Sequence, residues 1–173
     1  MTRTIRTFLA AVCFCLMPLT AHALEGDWEI GGNAETILMY PRDIYGGGGK
    51  FFARYSVLDG FSLGASAGFY GAQDTDIKKS LGIYTLSIDM IYALDILAWV
   101  PGAGISLSSL FSENKVWKWH NKGHGLSLDF DVFVQYRGIR HLGIGIFFSY
   151  HLVFVDADYI TVGLGISWFS GMF

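Results

Sequence analysis

From Gly125 to Tyr136 the side chains alternate without a break. Leu126, Leu128, Phe130, Val132, Val134 and Tyr136 share one face, and Gly125, Ser127, Asp129, Asp131, Phe133 and Gln135 share the other. Successive side chains of an extended chain point to opposite sides, so this segment reads as a strand whose two faces differ in kind. The pattern recurs. Trp28 to Tyr40 sets Trp28, Ile30, Leu38 and Tyr40 against Glu29, Asn33 and Glu35, while Lys50, Phe52, Arg54 and Ser56 alternate with Phe51, Ala53, Tyr55 and Val57. Further strands run from Phe61 to Tyr70, Leu81 to Tyr92, Gly102 to Ser108, Leu142 to Phe154 and Ile160 to Trp168, which makes eight. The fourth is the least regular, because Leu81, Ile83 and Ile91 fall on its polar face.

Such alternation suits any half-buried sheet, so composition has to decide what the apolar face meets. The chain is 52% hydrophobic and only 16% charged, against roughly 25% charged in an ordinary soluble domain. A soluble body of this size lacks its solvated shell. After the N-terminal stretch no run of 18 apolar residues is free of charge, which removes helical membrane spans. In lipid, only a closed barrel then satisfies every backbone N–H and C=O. The rival architecture is a secreted lipocalin-like carrier of an apolar ligand, with large apolar residues lining its cavity and charged residues outside. Here the polar face is largely Gly and Ser with a few ionisable groups, which suits a crowded interior. The apolar face carries Trp28, Tyr40, Tyr92, Tyr136, Tyr150 and Trp168 near strand ends, as an aromatic belt at a membrane boundary requires. The expected fold is all-β: an eight-stranded antiparallel up-and-down transmembrane β-barrel.

The N-terminus supplies the route. Arg3 and Arg6 precede an apolar stretch from Phe8 to Leu19, and Ala21-His22-Ala23 has the small-x-small spacing of a signal-peptidase site. Residues 1–23 are expected to be a cleaved export signal and residues 24–173 the barrel. Cys13 and Cys15 both fall inside the signal, which leaves no disulfide in the exported part. A formal charge of −3 with no long basic run speaks against nucleic acid as a partner.

Signal, eight alternating strands, aromatic belts and a terminal Phe173 together resemble the small outer-membrane barrels of Gram-negative bacteria, the OmpA-transmembrane-domain and OmpX kind. The resemblance implies residence in the outer membrane, contact with its lipid and lipopolysaccharide, a monomer in preference to an oligomer, and no cofactor. It also implies that Phe173 is read by the barrel assembly machinery. Phe173, Gly171, Phe169 and Ser167 share one register while the apolar series ends at Trp168 in the other, so either a bulge shifts the phase near Ser170-Gly171 or the signal is imperfect. Some small barrels modify lipopolysaccharide. The His-x-Ser-Asn arrangement of lipid A deacylases is absent here, His151 is expected to point inward, and no catalytic or metal-binding residue is assigned. His120 and His124 with Glu113 in the third loop have the chemistry to bind a metal or act as a base, although loop histidines more often do neither.

Leu58-Asp59-Gly60 and Arg137-Gly138-Ile139 read as short turns on one side, expected to be periplasmic. Pro41 to Gly48, Gly71 to Lys79 and Leu110 to Gly123 read as longer loops on the other. Pairing strands one and two about the first of these loops places Lys50 near Ile37 and Arg54 near Asn33, with Glu35 diagonal to both cations. The expected interior ion cluster is Glu35, Lys50, Arg54, Asp129, Asp131 and His151, read as stapling of a polar core. The surplus acids Asp129 and Asp131 must be solvated, paired with His151 or partly protonated, because an unpaired buried carboxylate costs several kcal/mol. Outside, the most distinctive surface is the third loop, where Lys115, Lys118 and Lys122 interleave with Trp117 and Trp119. Trp rests comfortably at the headgroup level, and Lys adds charge for anionic lipopolysaccharide or another surface.

Overall fold

The computed structural model describes residues 26–40, 44–74, 79–94, 98–112, 124–139, 141–154 and 158–170. Residues 1–23, the lysine- and tryptophan-bearing stretch 113–123 and Phe173 lie outside them. Eight strands follow one another: β1 (Trp28–Tyr40), β2 (Ile44–Leu58), β3 (Phe61–Asp74), β4 (Lys79–Ala93), β5 (Trp99–Ser112), β6 (His124–Ile139), β7 (Leu142–Val153) and β8 (Asp158–Phe169). Each pairs antiparallel with the next, and β8 returns to β1, closing the barrel. Closure leaves no sheet edge with open hydrogen-bonding groups.

The strands are longer than the alternation alone suggests. Gly46 to Gly48, read from sequence as the end of a loop, lie inside β2, so only residues 41–43 separate it from β1. Glycine weakens a strand intrinsically, yet here the tight approach of β3 demands it: a Cβ on Gly48 would lie 2.7 Å from the Cα of Tyr70. The three-residue turn expected at Leu58 to Gly60 is realised as an Asp59-Gly60 turn, Gly60 at φ +73°, with a register shift between Ser56 and Leu58. That shift supplies the odd residue that the two outward faces require. At the matching β6–β7 link the shift falls between Tyr136 and Ile139, and His141 adopts φ 61°. His141 Nδ1 lies 2.9 Å from the carbonyl oxygen of Phe169, which ties this turn to the end of β8.

Barrel strands are tilted, and the register measures how far. Stepping from partner to partner out of Glu29 leads through Arg54, Gly64, Asp89, Ser106, Asp129, His151 and Tyr159, and returns to β1 at Met39. One circuit therefore climbs ten residues, from Glu29 to Met39. That stagger links strand number to barrel width, and eight strands enclose a space that side chains can fill.

Polarity follows the expectation strand by strand. Asp129 and Asp131 are buried at 1% and 9% exposure, whereas Phe130 and Val132 stand outside at 37% and 54%. Ile88, Leu164 and Phe51 are among the most exposed apolar side chains. This is the reverse of a carrier, whose apolar residues would line the cavity. The girdle at the end holding both termini contains two aromatic pairs, Trp28 with Tyr55 and Trp99 with Tyr136, at centroid separations of 5.3 and 5.0 Å. Tyr55 and Trp99 extend the belt beyond the aromatics singled out from the alternation.

Candidate functional site: a layered barrel interior

The interior is stacked in four layers. At the end opposite the termini, Ile37, Met39, Ile44, Tyr70, Leu81, Ile83, Leu110, Val153 and Tyr159 form a continuous apolar roof. The irregular Leu81 and Ile83 of β4 belong to it, and Ile91 belongs to a lower layer, so the lapses in alternation mark depth in the barrel. Beneath the roof comes a polar layer built around Glu35, Lys50, Asp89, Asp129, Asp131 and His151. Below that, Ile91, Phe133 and Phe147 form an apolar floor, with Phe52 tilted against Phe147 at 6.3 Å. Each large side chain lies over small residues of its neighbours. A Cβ on Gly31 would meet Phe52 at 2.5 Å, and one on Gly102 would enter the Phe133 ring. Under the floor a second polar layer joins Glu29, Arg54, Gln135 and Ser167.

The six ionisable residues assigned to one cluster are divided between these layers. Register pairs Lys50 with Asn33 and Arg54 with Glu29, not with Ile37 and Asn33. The displacement of four residues arises because Ile44 to Gly48, read as loop, belong to the strand. Arg54 Nη1 meets Glu29 Oε2 at 3.5 Å, and its guanidinium rests 4.1 Å over the Phe52 ring. Arg54 therefore makes its closest ion pair in the lower layer while staying within electrostatic reach of Lys50. Gln135 knits that layer, donating to Glu29 Oε1 at 3.2 Å and to Ser167 Oγ at 2.5 Å while accepting from Arg137 Nε at 2.8 Å.

In the upper layer Lys50 stands within electrostatic reach of Asp131, Asp89 and Glu35. Glu35 accepts the Tyr70 hydroxyl at 2.5 Å and an amide hydrogen of Asn33 at 3.1 Å. Tyr70 reaches Glu35 across Gly48, the position at which both strands face β2. Asp131 accepts from Ser106 at 2.8 Å and from Ser149. Asp129 accepts from Ser127 at 2.6 Å and from Ser108, and His151 Nδ1 lies 2.9 Å from its Oδ1. Alternation pairs none of these hydroxyls with an acid, yet together they answer both carboxylates that composition leaves in surplus. Of the three fates open to those acids, the structure gives Asp129 the pairing with His151.

Asp129, His151 and Thr161 are connected like an orienting acid, a base and a nucleophile, with His151 Nε2 3.3 Å from Thr161 Oγ1. Their surroundings decide against that chemistry. Thr161 is 1% exposed and His151 is stacked on Tyr159 at 3.9 Å, leaving no site beside the hydroxyl where a reacting atom could sit. Among the described residues no group of three or more His, Cys, Asp or Glu could hold a metal ion. His124, considered with Glu113 and His120, lies edge-on to Phe111 at 4.8 Å on the outer surface. The residue roles that alternation misses are the lower-layer hub Gln135, the roof pair Tyr70 and Tyr159, and Asp89. Their inward register is legible in the sequence, but their partners depend on the tilt.

A closed barrel of eight strands, apolar outside and polar within, has solved counterparts. The fold is that of the small outer-membrane barrels. The N-terminal barrel domain of Pseudomonas aeruginosa OprF matches with a TM-score of 0.58 at 17% identity, covering 84% of this chain and 98% of that one. OprG of the same organism matches at 0.59 and 10%, covering 85% and 97%. Neisserial surface protein A matches at 0.57 and 13%, covering 82% and 95%. No protein-family model matches the sequence, and no curated protein matches it. At these identities the likeness is one of architecture. Together with the outward apolar belt, it makes this chain an outer-membrane barrel, buried in lipid along its wall and wet only at its ends.

Proposed function

We propose that this barrel is a sealed envelope anchor whose role lies at its surface, where it contacts lipopolysaccharide. The observation that carries the reading is the apolar roof over the polar layer, backed by a second apolar floor. Polar side chains occur in two separate layers, so solute or ion passage is not the role these residues serve. The end with both termini faces the periplasm, as the short turns there require. Residues 113–123 follow β5 and precede β6, whose adjoining ends lie opposite, and so belong to the extracellular side in this reading. Lys115, Lys118 and Lys122 supply positive charge to anionic phosphates, and Trp117 and Trp119 anchor at the headgroup level. Phe173 serves as the mark for the barrel assembly machinery, and the chain works as a monomer without a cofactor or catalytic group.

Two measurements test this. Replacing Lys115, Lys118 and Lys122 by Ser in the refolded barrel should weaken binding to immobilised lipopolysaccharide at least tenfold at low salt, and unchanged binding discards the loop contact. In planar bilayers the wild-type barrel should show no steady conductance. Stable open channels would remove the sealed-anchor reading.

A further inference from the structure

The register spiral carries a polar side chain at each interior step from Glu29 to Tyr159, with one exception. Gly64 adds no side chain of its own between Arg54 on β2 and Asp89 on β4, and the Arg54 stem leans over it. The two residues flanking Gly64 hold unused hydrogen-bonding capacity. Among the described residues, Arg54 Nε and Asp89 Oδ2 are buried without a hydrogen-bond partner, while Arg54 Nη1 has its 3.5 Å ion pair with Glu29. Arg54 is 4% exposed and Asp89 1%. The other oxygen of Asp89 is occupied, accepting from Ser66 at 3.1 Å. A donor therefore stands on one side of Gly64 and an acceptor on the other. Leaving such atoms unpaired away from solvent costs about 1–3 kcal/mol each, and more for charged groups.

No side chain can complete the rung from β3, because a Cβ on Gly64 would lie 2.6 Å from Arg54 Cγ and 2.9 Å from Arg54 Cα. We propose that an internal water molecule binds at the Gly64 rung, accepting from the Arg54 guanidinium and donating to Asp89 Oδ2. The chemistry selects a neutral donor–acceptor: a cation would meet the guanidinium and an anion the carboxylate. Arg54 Nε and Asp89 Oδ2 supply two partners, the lower end of the two to four of a typical buried water. The Cα atoms of Arg54 and Asp89 are two strand spacings apart, about 10 Å. The Arg54 side chain and one water making two hydrogen bonds of about 2.8 Å cover that distance. The bound water joins the lower polar layer to the upper one along the wall, beside the aromatic floor and below the roof, so the barrel stays sealed.

Solution NMR on the full barrel, refolded in micelles with 15N-labelled arginine, tests this directly. The Arg54 Nε–H should show a cross-peak to a long-lived water, with the sign of direct cross-relaxation. Ser66→Ala removes the hydroxyl bonded to Asp89 and should leave that cross-peak at full intensity. Loss of the cross-peak in Ser66→Ala would show that it was relayed through the serine, which overturns the proposal. So would its absence in the wild type, with or without a scalar coupling from Arg54 across a direct hydrogen bond to the Asp89 carboxylate. A crystal structure with no density between Arg54 and Asp89, at a resolution that orders other internal waters, would overturn it equally without any variant.

Discussion

His151 shows how a single residue is fixed by everything around it. One ring nitrogen faces Asp129, the other faces Thr161, and the ring plane lies 6° from that of Tyr159 in the roof. Asp129 is the more consequential partner because it gathers Ser127, Ser108 and His151 at once. Asp129→Ala should lower stability by about 3–5 kcal/mol, because it strands Ser127, Ser108 and His151 in a buried site at about 1–3 kcal/mol each. His151→Phe keeps the stack on Tyr159 and leaves Asp129 two hydroxyl donors, so its cost should be about 1–3 kcal/mol. Urea unfolding in phospholipid vesicles, followed by tryptophan fluorescence, measures both. Equal losses would mean that the hydroxyls contribute nothing to holding Asp129. That these residues face inward is legible from alternation alone. That four serines meet the acids is not, because Ser127, Ser108, Ser106 and Ser149 come together only through the register of three different strands.

At the scale of an element, β2 shows packing prevailing over propensity. Gly46 to Gly48 read as loop because glycine disfavours the strand, and ending the loop there displaces the β1–β2 register by four residues. Tertiary packing overrides the propensity. Gly48 sits where Tyr70 crosses from β3 to reach Glu35, and any side chain there would collide with the β3 backbone. Its neighbour Gly47 faces outward, and a Cβ on it would find the Glu35 carbonyl oxygen at an ordinary 3.5 Å. Gly48→Ala should therefore lower the folded yield in vesicles severalfold, while Gly47→Ala should fold as the wild type does or slightly better, an alanine costing less backbone entropy than glycine. The band shift between unboiled and boiled samples on a gel reports the folded fraction. Matching yields would mean that β2 and β3 separate more easily than the contact of Tyr70 with Gly48 implies. The same contrast explains why strand ends are harder to place than strand centres. Alternation persists into β2, β3 and β5 beyond the apolar residues that announce them, but glycine, alanine and polar side chains there send no hydrophobic signal.

For the whole molecule the governing asymmetry is inside against outside, and it makes stability depend on depth. Interior layers can hold charges because other side chains answer them, whereas the outer wall has only acyl chains to offer. A cation placed on that wall should be costly in proportion to its distance from water. Leu164 faces outward from the middle of β8, opposite Ala34 of β1, and Tyr40 faces outward at the roof end of β1. Leu164→Arg should cost about 2–4 kcal/mol in the unfolding free energy measured in vesicles, and Tyr40→Arg about 0–1 kcal/mol beyond the lost ring, the arginine reaching the headgroups. If the two cost the same, the belt between the girdles does not coincide with the hydrocarbon, and the barrel sits in the bilayer at a different height or tilt. The interior gives the complementary expectation: Asp131→Asn at mid-height should tell through the lost partners of Lys50, Ser106 and Ser149, with no dependence on lipid thickness. Repeating the measurements in vesicles of shorter and longer acyl chains separates the two sets, because only the wall variants feel the membrane.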